Sequence, residues 1–189
     1  MSFSIDGKTV IVTGAANGIG AALARHFAEN GANVMCADID EKALQKDLGE
    51  SADDSNVRYF AGDLREKLTL ANLLSATVDA FDRVDVLVNA SRQMATTDPL
   101  DMDDETVEKL LQQNLMTSLR LSQMVAKRMI KQDEEQDHEF AGTIINLSSI
   151  AARLTQPELL AYSVSTAALE QVTRSMLSLM HISEPTRRI

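Results

Sequence analysis

The chain has 189 residues, 44% hydrophobic and 24% charged, enough for one globular domain with its own core. Its 18 basic and 28 acidic residues leave a formal charge of −10, which argues against nucleic acid or an anionic membrane surface as partner. Cys36 is the single cysteine, so an intrachain disulfide is excluded and a reducing compartment suits the chain. The N-terminal residues lack a basic stretch followed by an apolar one, and no apolar run approaches the roughly 18 residues a membrane span needs. A cytoplasmic location is the expectation.

The elements follow one another without a break in style. Residues 9–13 are an apolar, β-branched run and predict a buried strand. Residues 14–20 predict a turn and 21–29 a helix, stopped by Asn30 and Gly31. Residues 32–37 predict a second strand ending at Asp38, with Cys36 as core filling. Asp40 can cap a helix reaching about residue 48. A third strand is expected over 57–61. A helix follows over 65–81, with Leu70, Leu73, Leu74, Val78 and Phe81 on its apolar side, and a fourth strand over 84–88. Thr97, Asp98 and Pro99 mark a loop. A short helix over 103–113 leads into a longer one reaching about residue 131. The charged residues of 132–139 read as a solvated connection, 142–147 as a fifth strand and 158–177 as a final helix. Strand alternates with helix throughout. The expected fold class is therefore α/β, a Rossmann-type doubly wound parallel sheet in three α/β/α layers. No repeat or Pro/Gly-rich linker divides residues 1–176.

The turn after the first strand carries chemistry. Thr13-Gly14-Ala15-Ala16-Asn17-Gly18-Ile19-Gly20 joins a strand to a helix. In such a turn Gly14 permits the tight bend, Gly18 lets backbone approach a pyrophosphate, and Gly20 lets the helix pack closely on the strand. The helix N-terminus offers free N–H groups to phosphate oxygens. No Lys-Ser/Thr pair follows, which excludes a Walker A loop. Asp38, 18 residues beyond Gly20, can accept hydrogen bonds from both hydroxyls of an adenosine ribose, and it repels a 2′-phosphate. With no basic residue inside the turn, NAD(H) is favoured over NADP(H).

The T-G-x-x-x-G-I-G spacing resembles the short-chain dehydrogenase/reductase family. The resemblance implies that Gly14, Asn17, Gly18, Ile19 and Gly20 hold the cofactor, with Asp38. It also implies that Asp63 contacts the adenine edge beside Leu64, and that Asn89 and Ala90 open the family's N-N-A-G or N-A-A-G element. The glycine of that element is Arg92 here; it either points outward or grips a phosphate or an acidic substrate. The family's working set of Asn, Ser, Tyr and Lys falls on Asn114, Ser149, Tyr162 and Thr166. Ser149 is preferred to Ser148 because Tyr162 lies 13 residues beyond it. Tyr162 would exchange a proton with the substrate oxygen while hydride moves, and Ser149 would hydrogen-bond the same oxygen.

Thr166 departs from the family's lysine. An ammonium there would favour the phenolate of a tyrosine whose free pKa is about 10; a hydroxyl offers the ribose a partner but no charge. Arg92 and Arg153 are the substitute cations the sequence offers. The expected function is an NAD-dependent oxidoreductase interconverting an alcohol and a carbonyl. The alternative is a catalytically impaired or inactive NAD(H)-binding protein of the same descent. No metal site is expected. A homodimer or homotetramer, paired through the helices carrying Asn114 and Tyr162, is implied by resemblance.

The resemblance is expected to cover residues 5 to about 176. Residues 177–189 read as a non-native tail: Leu177 to Arg187 resembles the translation of a transposase-type sequencing-library adaptor, departing from it at Met180. A chain cut short in this way would lack the family's last strands and leave a sheet edge unpaired.

Overall fold

Five short runs rich in Val, Ile and Thr pair side by side in the computed structural model, which describes residues 4–48, 56–136, 141–154 and 156–180. They are β1 (Thr9–Thr13), β2 (Asn33–Asp38), β3 (Val57–Ala61), β4 (Val86–Asn89) and β5 (Thr143–Asn146). All pairings are parallel, in the order β3-β2-β1-β4-β5. The chain works outward from β1 to β3, then returns to the other side of β1 at β4. That reversal puts the carboxyl ends of β1 and β4 next to each other, with Thr13 level with Asn89, where open α/β sheets bind ligands.

The two-residue period of each strand sends alternate side chains to opposite faces. Val10, Val12, Val34, Cys36 and Val88 lie on one face, against Ala24 and Phe27 of α1 (Gly18–Glu29) and Leu44 of α2 (Glu41–Leu48). Ile11, Met35, Ala37 and Leu87 lie on the other, against Leu70 and Leu73 of α3 (Lys67–Phe81) and Leu121, Val125 and Met129 of α5 (Thr117–Gln136). The three expected layers are therefore present, and Cys36 is core, 4% exposed. Each buried Leu or Ile contributes about 2 kcal/mol of transfer free energy.

The chain divides into two compact units that interleave along the sequence. One combines Met1–Arg92 with Arg120–Leu147 and holds the sheet; the other combines Gln93–Leu119 with Ser148–Ile189. The second contains α4 (Thr106–Leu110), a π turn (Leu111–Met116), 3-10 turns at Ile150–Ala152 and Pro157–Leu159, and α6 (Leu160–Met180). Its buried cluster is Leu110, Ala151, Ala161 and Tyr162.

Several element ends depart from expectation, and three of the shifts bear on the turn, the connection and the tail. Helix α1 begins at Gly18, so the last glycines of the turn are already helical. The charged connection expected from Gln132 starts later, because α5 continues to Gln136. The reason is tertiary: the Gln132 side chain is 4% exposed, and its amide pairs with Val84 in both directions. Val84 N donates to Oε1 at 3.0 Å, and Nε2 donates to the Val84 carbonyl at 2.9 Å. Residues 137–139 of that connection lie outside the described residues. Helix α6 reaches Met180, into the segment read as a tail; residues 181–189 lie outside the described residues. Among the described residues no helix is long and apolar enough to cross a membrane.

Candidate active site

In the first unit the glycine turn is fixed by its own close contacts. Gly14 has φ +69°, and a Cβ there would lie 2.8 Å from the Ser91 backbone. A Cβ on Gly20 would lie 2.0 Å from the Gly14 carbonyl oxygen. Gly18 differs: its φ is +54°, but a Cβ there would meet nothing within 4 Å. Gly14 and Gly20 thus serve the packing, while Gly18 leaves open space at the N-terminus of α1. Asn17 occupies the N-cap position with extended backbone, and its side chain makes no capping bond. The first-turn N–H groups of a 12-residue helix are therefore left to an outside acceptor, as an anion site requires.

Two hydrogen-bonded braces hold this turn. The Thr13 hydroxyl oxygen accepts from Ala90 N and Ser91 N, both at 3.1 Å, tying β1 to the loop after β4. Asp38 accepts from Ala16 N through Oδ2 and from Asp40 N through Oδ1, both at 3.1 Å. Its carboxylate is thereby fixed at the mouth of the turn. Open space at Gly18, an uncapped helix start and an acid on the neighbouring strand fit a dinucleotide.

The other expected contacts of this unit are more occupied. Arg65 Nε bonds both oxygens of Asp63, at 2.9 and 3.0 Å, and this guanidinium holds the Asp63 carboxyl below the usual carboxylate range. Leu64 is buried in the core. Asn89 is 3% exposed and donates to Ser122 Oγ at 3.0 Å and Asn146 Oδ1 at 2.7 Å, bracing β4 against β5. Ala90 is half-buried, Arg92 exposed.

The second unit contains Asn114, Ser149, Tyr162 and Thr166. Asn114 sits in the π turn, the kind of helix irregularity often found at functional sites. Its Oδ1 accepts from Gln93 N at 2.8 Å; its Nδ2 donates to Gln93 O at 2.9 Å and Ser165 Oγ at 3.0 Å. Ser165 Oγ in turn donates to the Tyr162 carbonyl at 2.9 Å, so Asn114 is linked to the helix carrying the tyrosine. Ser149 has extended backbone and caps the Ile150–Ala152 turn, its Oγ accepting from Ala151 N at 3.2 Å. That contact uses a lone pair and leaves the hydroxyl proton available. Tyr162, 4% exposed, packs in the cluster with Ala151 and Leu110.

Thr166 is 1% exposed, and its hydroxyl turns back along α6 to the carbonyls of Tyr162 at 2.9 Å and Ser163 at 3.1 Å. Its one proton is spent inside the helix. Arg153, a substitute cation by sequence, pairs with Glu170. Ser148 likewise gives its hydroxyl to Glu170, at 3.1 Å, which separates the two neighbouring serines by role.

The family profile for short chain dehydrogenase matches residues 8–183. The chain belongs to this family. An uncharacterized oxidoreductase of Thermotoga maritima is 33% identical over 94% of this chain and 68% of its own length. The NAD-dependent glycerol dehydrogenase of Listeria innocua is 28% identical over 91% of this chain and 64% of its own length. The crystal structure of a short chain dehydrogenase from Mycobacterium smegmatis superposes with a TM-score of 0.83 at 26% identity, over 94% of this chain and 73% of that one. The chain spans about two thirds of the length of these curated relatives.

Within this short chain dehydrogenase chain, two residues escaped the sequence reading. Ile39 follows Asp38 and is 66% exposed, an apolar surface beside the expected ribose partner. The signal for it was present: an isoleucine just past a strand's carboxyl end, where core burial no longer explains it. Glu170 carried no such signal, since two of its three partners, Ser148 and Arg153, come from a different part of the chain.

Proposed function

We propose that the chain is the cofactor-holding and proton-transfer part of an NAD(H)-dependent oxidoreductase that interconverts an alcohol and a carbonyl, with small polyols as the substrate class. The observation that carries this reading is the second unit's cluster. There Tyr162 packs with Ala151, just beyond Ser149, on a helix bonded to Asn114. As phenolate, Tyr162 takes the alcohol proton in oxidation, and as phenol it returns that proton in reduction, while Ser149 donates to the same oxygen and Asn114 fixes the helix backbone beneath the tyrosine. A bound nicotinamide supplies the hydride acceptor or donor. Asn17, Gly18 and Ile19 would hold its pyrophosphate, in a turn that Gly14 and Gly20 shape by close packing, and Asp38 its ribose, with Asp63, Leu64, Asn89 and Ala90 supporting the adenosine and nicotinamide sides. The Asp38 charge and the NAD-dependent glycerol relative favour NAD(H) over NADP(H).

Thr166 supports a second reading, a non-catalytic family member that binds NAD(H) without turning substrate over. The hydroxyl of Thr166 brings no charge to Tyr162. A homodimer or homotetramer fits the exposed apolar side chains of the second unit, Ile150, Leu154, Leu160 and Val164, which a partner copy would cover. A cytoplasmic setting accords with the lone buried cysteine.

The test is a titration with NADH, followed by its own fluorescence in a chain without tryptophan, then turnover of NAD+ with glycerol and other small polyols. Saturable binding with slow turnover supports the enzyme reading. Binding with no turnover, unchanged in Thr166→Lys, favours the second. No binding of either nucleotide refutes both.

A further inference from the structure

Glu170 lies two helical turns beyond Tyr162 and one beyond Thr166 on α6, with its side chain 19% exposed. Three donors converge on it. Ser148 Oγ gives a hydrogen bond to Oε1 at 3.1 Å, Arg153 Nη2 reaches Oε2 at 3.3 Å, and Arg174 Nη2 reaches Oε2 at 3.1 Å. Arg174 is the helical i+4 partner and would form with any loop conformation. Ser148 and Arg153 are different: they flank the segment that carries Ser149 and the Ile150–Ala152 turn. A single carboxylate therefore holds this segment at both ends.

We infer that Glu170 is the positioning residue for Ser149, clamping the serine-bearing turn onto the helix that carries Tyr162. The inference rests on the reading of Ser149 as the donor to the substrate oxygen. Besides Glu170, the turn is held by Ala151, which packs in the cluster with Tyr162 and Leu110, and by its own short-range hydrogen bonds. It is one 3-10 turn, closed by Ala152 N to Ser149 O and Arg153 N to Ile150 O, both at 3.0 Å. Ile150 beside it is 73% exposed. Ser148 cannot substitute for Ser149 in catalysis while its hydroxyl proton is given to Glu170. Burial by itself would raise the Glu170 pKa; the hydrogen bonds from Arg153, Ser148 and Arg174 outweigh it and hold the carboxyl below its usual range. At neutral pH the clamp is an anion, a stronger acceptor for a hydroxyl than a neutral group. Displacing a catalytic hydroxyl by 1 Å can cost about a hundredfold in rate, so a clamp remote from the reacting atoms matters.

The experiment compares the parent chain with Glu170→Ala and Glu170→Gln, the latter keeping an acceptor oxygen for Ser148. Amide exchange by NMR is expected to quicken about tenfold at Ala151, Ala152 and Arg153 in Glu170→Ala and less in Glu170→Gln, with Val12 and Val88 of the sheet unchanged. Equal exchange at these three amides, or faster exchange throughout the sheet in both variants, overturns the inference without any appeal to activity. In turnover with NAD+ and glycerol, Glu170→Ala should lower kcat about tenfold and leave KM for NAD+ unchanged. Added to Ser149→Ala, it should cost nothing more, because its effect passes through that hydroxyl. A full additional loss in the double variant refutes the route through Ser149. If the parent turns over no polyol, the polyol reading fails while the exchange result still decides the clamp.

Discussion

The two units handle their polar groups in opposite ways. In the first, the glycine turn is pinned at Thr13, Gly14, Ala16 and Gly20 and exposed over residues 17–19, so its backbone is ready for a ligand before one arrives. In the second, Asn114, Ser165 and Thr166 spend their hydrogen bonds on one another and on nearby backbone, and the charge the family places at position 166 is missing. A preorganised binding half and a half short of one cation explain why binding and turnover must be measured separately. Preorganisation costs nothing further at the moment of binding, whereas a missing charge is felt only as the proton moves.

The largest effect should come from Gly20→Ala. Its Cβ would lie 2.0 Å from the Gly14 carbonyl, so the helix must move off the turn that precedes it. We expect a loss of about 3 kcal/mol or more, read as a collapse of the thermal transition. Gly18→Ala is the control within the same turn. With nothing near the added methyl, it should cost about 1 kcal/mol of stability for its positive φ yet weaken NADH binding measurably. Similar losses from both substitutions would break the distinction between packing glycine and cradle glycine.

Next in size is Thr166→Lys. If the second unit lacks only its cation, turnover should rise about a hundredfold, with NADH affinity changing far less. Asp38→Ala should weaken NADH binding by about 1.5–3 kcal/mol, from the loss of charged hydrogen bonds, and narrow the preference over NADPH. Titrating both nucleotides with each variant checks this. Equal NADH and NADPH affinity in the parent would sink the NAD assignment.

The smallest effect concerns acid stability. Arg65 lowers the Asp63 pKa in the folded chain, so this pair stabilises the fold above the ordinary carboxylate pKa of about 4 and loses its contribution as pH falls through the lower folded value. The Asp63 side chain is 30% exposed, so only a few tenths of a kcal/mol are involved after solvent screening. Asp63→Asn should flatten the fall of Tm with acid at the low end of that range; an unchanged slope would remove the pair from the account.

Periodicity made the sheet legible. Residues 9–13 and 57–61 are strands as read, and Asp40 caps α2 through a bond from Ala43 N to Oδ1 at 3.0 Å. Local rules failed where a distant partner decided the outcome. Gln132 looked like the start of a charged loop and is a buried helical residue because Val84 accepts and donates to its amide. The π turn at Asn114 has no signature in spacing, since it is stabilised by Gln93 and Ser165 from elsewhere in the second unit.

By itself the sequence determined the parallel α/β sheet, the glycine turn with its acid at Asp38, and the spacing of Ser149 and Tyr162. Each of these follows from side-chain periodicity, the conformational freedom of glycine or separation along one chain, all local quantities. Only the tertiary structure decided which groups are already spent. It turned the Thr166 hydroxyl into its own helix, bound Asp63 to Arg65 and Arg153 to Glu170, and left Ser149 with a proton to give. A polar group has few hydrogen bonds to offer, and what they meet is settled by neighbours in space.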